Sequence, residues 1–264
     1  MIGRRQLSQA FSSWNATWQA PFGSAACDAV PIRDRPHAPD PRVFGPFAFQ
    51  GNNSTRTFEY PWAYFAGMTA PGMRALEIGG GLSGFQFVLG LEGCAVVNVD
   101  PGDDPDHAWQ GDPEDHAKLN RAFGTEVELV VTTGDRYEDE PESFDRAYCL
   151  SVIEHMSDEV ADATMRRAAL LLRPGGYFVL TVDLLLDVAP FTDAESNDIG
   201  VNKDVERLIT ASGLDLVAGV REELFGFPEF DTHTIAEQRD DYYVGEFRLP
   251  VVAQAFVLRK PLRA

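Results

Sequence analysis

The chain has 264 residues, 44% of them hydrophobic and 11% aromatic, which is enough apolar material for a sizeable core and excludes a disordered or low-complexity protein. Its formal net charge of -19 sets up a field that repels phosphate backbones and anionic lipid surfaces, and the isolated pairs Arg4-Arg5 and Arg166-Arg167 make no basic patch against it. Nucleic acid and membrane are therefore not expected as partners.

Residues 1–18 lack the apolar run of a signal peptide and no stretch reaches the length of a membrane span, so the expected location is the cytoplasm. The cysteines, Cys27, Cys94 and Cys149, are widely spaced with no Cys-x-x-Cys pair, which suits reduced thiols. From about residue 20 to 60 the chain is punctuated by Pro21, Pro31, Pro36, Pro39, Pro41, Pro46 and Pro61, which argues against long regular elements. The same stretch carries Phe44, Phe47, Phe49, Phe58, Tyr60, Trp62, Tyr64 and Phe65, and these rings need cover from a core or a ligand. Residues 1–70 are read as an N-terminal cap and 71–264 as the main domain.

Beyond the cap the pattern becomes regular. Apolar runs of strand length at 74–78, 94–99, 127–131, 144–150 and 176–183 are separated by segments able to form helices, the signature of βαβ units on a parallel sheet. One helix is capped by Ser157, carries Val160, Thr164, Ala168 and Leu171 on one stripe, and is stopped by Pro174-Gly175-Gly176. A second runs from a cap at Asn202 through Val205, Leu208 and Ile209 to Gly213. Strands near 214–220 and 252–259 flank an insertion at about 221–249. Its phenylalanines at 225, 227 and 230, with His233, Asp240 and Tyr243, suit a lid over an acceptor or an arm for a homodimer.

The first strand runs into a glycine turn, Ala75-Leu-Glu-Ile-Gly-Gly-Gly-Leu-Ser-Gly-Phe85. The spacing Gly79-x-Gly81-x-x-Gly84 is that of a loop that approaches a cofactor closely at a helix N-terminus. Asp100 ends the next strand, where a carboxylate is placed to accept the hydroxyls of a ribose. These features alone also allow an NAD-dependent oxidoreductase. Glu77 weighs against it: a carboxylate just beneath the loop opposes a pyrophosphate and welcomes a cofactor that carries an ammonium and a sulfonium. That points to S-adenosylmethionine.

The motifs then follow in order: Leu-Glu-Ile-Gly-Gly-Gly-Leu-Ser-Gly, Val-Asn-Val-Asp100, Gly134-Asp135-Arg136, Phe144-Asp-Arg-Ala-Tyr-Cys-Leu-Ser-Val-Ile-Glu-His155 and Leu172-Arg-Pro-Gly-Gly-Tyr-Phe-Val-Leu180. As a set, over roughly 70–220, they resemble class I S-adenosylmethionine-dependent methyltransferases. The resemblance implies an α/β, Rossmann-like, seven-stranded and mostly parallel sheet with its last strand antiparallel and helices on both faces. It implies that Glu77, Gly79, Gly80 and Gly81 hold the methionyl part, Asp100 the ribose, Asp135 and Arg136 the adenine, and that Leu150 and Ser151 face the cofactor. Gly80 departs from the pattern, because many members carry Cys, Ser or Thr there.

Methyl transfer is an in-line displacement that needs a base only when the acceptor must lose a proton. Glu154 and His155 follow the fourth strand and are the candidates. His155 is a general base, a lining residue of the acceptor pocket, or a histidine hydrogen-bonded at the start of the Ser157 helix. Glu154, His155 and Asp158 lack a second histidine within the next turn, so no metal is expected. Asp183 and Asp187 are placed to face the same pocket or to be solvated turn residues. The expected activity is methylation of an oxygen or nitrogen of a small molecule, such as a secondary metabolite or amino sugar. The rivals are the oxidoreductase and a noncatalytic binding protein that keeps the fold.

Overall fold

The computed structural model describes residues 1–23, 41–102, 113–244 and 250–263. Cys27, Pro31, Pro36 and Pro39 and the 245–249 end of the insertion lie outside the described residues. Seven strands, β1 (Arg74–Ile78), β2 (Ala95–Asp100), β3 (Glu128–Val131), β4 (Phe144–Leu150), β5 (Leu172–Leu185), β6 (Asp215–Ala218) and β7 (Val251–Arg259), form one sheet in the order β3-β2-β1-β4-β5-β7-β6. The first five run parallel, and β7 is antiparallel to both β5 and β6. The expected fold class is the one found. Because chain order reverses between β1 and β4, a crevice opens at their carboxyl ends, where open α/β sheets bind ligands.

Side-chain alternation along each strand splits the core into two layers. Leu76, Ile78, Ala147 and Cys149 pack with Met165, Ala168 and Leu171 of α6 (Asp158–Leu171) and Leu208 of α7 (Val205–Ser212). Ala75, Tyr148 and Leu150 face the other way, onto α4 (Gly84–Leu91) and the aromatic N-terminal segment. Glu77 shares the alternation of Ala75 and so points toward that second layer. There Phe47, Phe49, Phe58, Tyr60 and Trp62 are buried, and Phe85 packs between Tyr60 and Tyr148 at ring distances of 6.0 and 5.0 Å. These five rings are therefore core; Phe44 and Tyr64 are half-buried against them and Phe65 remains exposed, stacked on Phe11.

Two local expectations are corrected, and a third helix is as expected. The proline-rich segment ends in a regular element after all, the twelve-residue helix α3 (Arg56–Gly67), with Pro61 inside it. Proline at that position leaves the carbonyl of Thr57 without its helical donor, and Asn15 of α1 (Gln9–Trp18) supplies one, its Nδ2 donating to Thr57 O at 2.8 Å. Helix α7 is capped by Asp204 rather than Asn202. The Asp204 side chain accepts from Arg207 N at 2.8 Å, while Asn202 bridges both backbone groups of Leu185. Helix α6 does start at Ser157 and ends at Leu171, before the proline. A helical Pro174 would clash with the carbonyl of Leu170, which instead accepts from Glu142 N at 3.1 Å. Residues 173–176 then form the irregularity in the pairing of β4 with β5.

Candidate functional site

The turn after β1 is built for close backbone approach. Gly79 and Gly81 have φ of 72° and 52°, in the left-handed region that side chains disfavour. A Cβ on Gly79 would fall 2.4 Å from Val152, and one on Gly80 would fall 2.7 Å from Asn98 Oδ1 and 2.9 Å from the Glu77 carboxyl carbon. The departure at Gly80 thus has a local cause, because Asn98 and Glu77 fill the space that a Cys, Ser or Thr would need. Asn98 pins the turn twice, accepting from Gly80 N at 3.1 Å and donating to Gly81 O at 3.0 Å. Asp100 accepts from Gly81 N at 2.8 Å and from Gly102 N at 2.9 Å, one amide on each oxygen. A carboxylate oxygen has a further lone pair, so both retain capacity for hydroxyls.

Glu77 lies beneath this turn, 3% exposed, with Oε2 lacking a hydrogen-bond partner among the described residues. Burial pushes its carboxyl up to about 8; the Ser83 hydroxyl opposes the shift, the Asp100 charge adds to it and Arg56 opposes it. A buried carboxyl in that condition is waiting for a cation. An ammonium placed against it restores its charge, whereas a pyrophosphate would add repulsion. The residues present therefore fit S-adenosylmethionine.

The N-terminal segment reaches into the same edge. Gln50 Oε1 accepts from Leu82 N at 2.7 Å, over Gly81. From α3, Glu59 is fully buried and its Oε2 takes an ion pair from Arg56 and hydrogen bonds from Ser151 and Thr181 hydroxyls, both at 2.9 Å. Ser151, directly after β4, has φ of 49°, a left-handed conformation that costs a non-glycine residue about 1–3 kcal/mol. In it the Ser151 hydroxyl lies 2.9 Å from Glu59 Oε2 and 3.1 Å from Asp183 Oδ1, with one proton to share between the two acids. Leu150, the last residue of β4, is buried beside it.

Glu154 and His155 form a short 3-10 turn over residues 153–155. Glu154 is 2% exposed and neither of its oxygens makes a well-formed hydrogen bond among the described residues, with the backbone amides of Glu154 and Asp183 nearby. Burial pushes it up to about 7. His155 is exposed at the same edge and its charge bears on Asp183. Asp183 therefore belongs to this cluster, whereas Asp187 turns away to accept from Asn197 Nδ2 at 2.9 Å. Asp135 and Arg136 occupy the turn after β3, half-buried and exposed respectively, with Arg136 N donating to Thr133 O. In the insertion, His233 lies on the exposed side of α8 (Thr232–Glu237), 3.5 Å from Glu237, while Phe230 meets both Phe191 and Phe225 edge to face. Among the described residues no group of three or more His, Cys, Asp or Glu is arranged to hold a metal ion, and no helix is long and apolar enough to cross a membrane.

Gln50, Asn98, Arg56, Glu59 and Thr181 complete the site without having been singled out by the sequence. Asn98 alone had an accessible signal, being a polar residue inside an apolar strand two positions before Asp100. The others depend on how the N-terminal segment docks.

Residues 56–218 match the family described as Methyltransferase domain. A ubiquinone biosynthesis O-methyltransferase of Rhizobium rhizogenes is 25% identical over 188 residues, covering 66% of this chain and 71% of that protein. A second of that name, from Rhizobium leguminosarum, is 28% identical over 160 residues, and there the chain spans 60% of the relative's length. Among solved structures, the 1,6-didemethyltoxoflavin-N1-methyltransferase of Burkholderia thailandensis, with S-adenosylhomocysteine bound, has a TM-score of 0.51 at 18% identity over 79% of this chain and 78% of its own. That likeness speaks to the fold.

Proposed function

As the chain belongs to the class I S-adenosylmethionine-dependent methyltransferases, we propose that it methylates an oxygen or nitrogen of a small molecule. When bound, the cofactor supplies an electrophilic methyl group on a sulfonium, open to in-line displacement. Glu77 and Gly79, Gly80 and Gly81 would hold its methionyl end, Asp100 its ribose, and Asp135 with Arg136 its adenine, with Leu150 and Ser151 lining the same edge. The observation that carries the cofactor assignment is the buried, unpartnered oxygen of Glu77 under a turn with no room for side chains.

Glu154 supports proton transfer from the acceptor. A carboxyl near 7 is available in both protonation states at neutral pH, the condition for a general base. His155 stands beside it, exposed, as the second candidate. The cap at 1–70 and the insertion at 221–249 would close over the acceptor. Their mutual contacts support this reading: Arg4 pairs with Glu223 at 2.6 Å and Ser54 Oγ donates to Val244 O at 3.3 Å. The acidic overall charge favours a neutral or cationic acceptor over a polyanion. Incubation with S-adenosylmethionine and a pooled small-molecule library, read by mass spectrometry, should show a gain of one methyl on a library member. Transfer confined to a protein or a nucleic acid would contradict it.

A further inference from the structure

We propose that the methyl acceptor is a primary or secondary amine, held as its ammonium ion against Glu154 and Asp183 at the carboxyl edge of β4 and β5; the proposal rests on the methyltransferase reading above. Charge is unmatched in this buried place. Four carboxyls, those of Glu59, Glu77, Glu154 and Asp183, gather round the Arg56 guanidinium. Arg56 is committed to Glu59, whose Oε2 also takes the Ser151 and Thr181 hydroxyls while Oε1 has no hydrogen-bond partner among the described residues. The amino group of a bound cofactor would answer Glu77. Glu154 and Asp183 are left, and the cationic side chains that bear on them are Arg56, already engaged, and the exposed His155 at Asp183.

Glu154 is the sharper of the two. It is 2% exposed, and both oxygens lack a hydrogen-bond partner among the described residues. A buried acid is tolerated when it is paired or neutral; a hydroxyl acceptor would give it one neutral hydrogen bond, whereas an ammonium also brings the opposite charge. An ammonium brings a full charge and several N–H donors to two acids with few donors of their own: Asp183 Oδ1 lies 3.1 Å from the Ser151 hydroxyl, whose one proton it shares with Glu59. The titration of the pair agrees with this. Burial raises Glu154 to about 7, and burial together with the Glu154 and Glu59 charges raises Asp183 well above its ordinary range, against Arg56 and His155. Both acids therefore gain from a cation.

The same pair accounts for the proton. A carboxylate of the pair takes one proton from the ammonium, leaving a neutral amine whose lone pair forms the new N–C bond. The carbon–sulfur bond of the donor breaks, its electron pair staying on sulfur as a thioether. The product is an N-methylammonium, and the proton remains on the carboxyl until solvent removes it.

The test uses the full chain saturated with S-adenosylhomocysteine and titrated calorimetrically with alkyl- and arylalkyl-ammonium chlorides and with the matching alcohols. The first titration, with S-adenosylhomocysteine alone, reports on the methyltransferase reading by itself. The second compares cation with neutral isostere. At least one ammonium ion should bind about tenfold more tightly than its alcohol, and the preference should disappear in Glu154→Gln and in Asp183→Asn, either variant sufficing if the other does not fold. Equal binding of alcohols, no binding from either set, or a preference that survives the substitutions would overturn the proposal.

Discussion

Gly80 has no room for a side chain, and the atoms that deny it room are themselves fixed. Asn98 holds the turn by two hydrogen bonds and Glu77 is enclosed in the core layer below. Gly80→Ala should therefore displace the turn rather than be absorbed, as overpacking typically costs about 1–3 kcal/mol. The expected result is an S-adenosylhomocysteine affinity at least about tenfold weaker, measured by calorimetry, with a melting temperature lowered by several degrees. Glu77 makes a second prediction through pH. Its carboxyl is raised from 4.5 to about 8 in the folded chain, so between those values the folded state holds a proton that the unfolded state has released. The stability this contributes is full below 4.5 and is lost as pH rises through about 8. Thermal melts of the ligand-free protein should show Glu77→Gln gaining on the parent chain as pH rises from 5 to 8. Equal slopes would contradict the assignment.

Helix α3 shows how an element is held together by a partner far away in sequence. Pro61 removes a donor from the middle of the helix, and Asn15 returns it from α1. A buried hydrogen bond of this kind contributes about 0.5–1.5 kcal/mol, and leaving its acceptor orphaned costs more. Asn15→Ala should lower stability by about 1–2 kcal/mol in denaturant melts, and Pro61→Ala should recover part of that loss, because the new amide can serve Thr57. Additive effects of the two substitutions would show that the contacts are independent. None of this was legible from the sequence, in which Pro61 reads as a breaker. The strands were legible, because β1, β2 and β4 are buried on both faces and so appear as largely apolar runs of strand length, interrupted by Glu77, Asn98 and Asp145-Arg146. Local competition moved the helix ends: Asp204 outcompeted Asn202 for the cap once Asn202 had been taken by Leu185.

At the scale of the whole molecule, the residues proposed to hold the cofactor follow a short-range pattern. Glu77, the glycines and Asp100 sit on consecutive elements with fixed spacing. On the proposed acceptor side Glu154, His155 and Asp183 were candidates in the sequence, but their assembly with Arg56, Glu59 and Thr181 was not legible. Arg56 and Glu59 come from a helix before β1, Ser151 and Glu154 from the turn after β4, Thr181 and Asp183 from β5, and only the docking of α3 on the sheet brings them together. Gln50 meets the glycine turn by the same docking. The account hinges on a cationic cofactor meeting Glu77. Calorimetric titration of S-adenosylmethionine and of NADH into the parent chain and Glu77→Gln tests it most directly. A hydrogen bond to a charged group contributes about 1.5–3 kcal/mol, so the substitution should weaken S-adenosylmethionine binding roughly 10- to 150-fold while NADH binds neither protein. Undiminished S-adenosylmethionine binding by Glu77→Gln, or tight NADH binding by the parent chain, would contradict it.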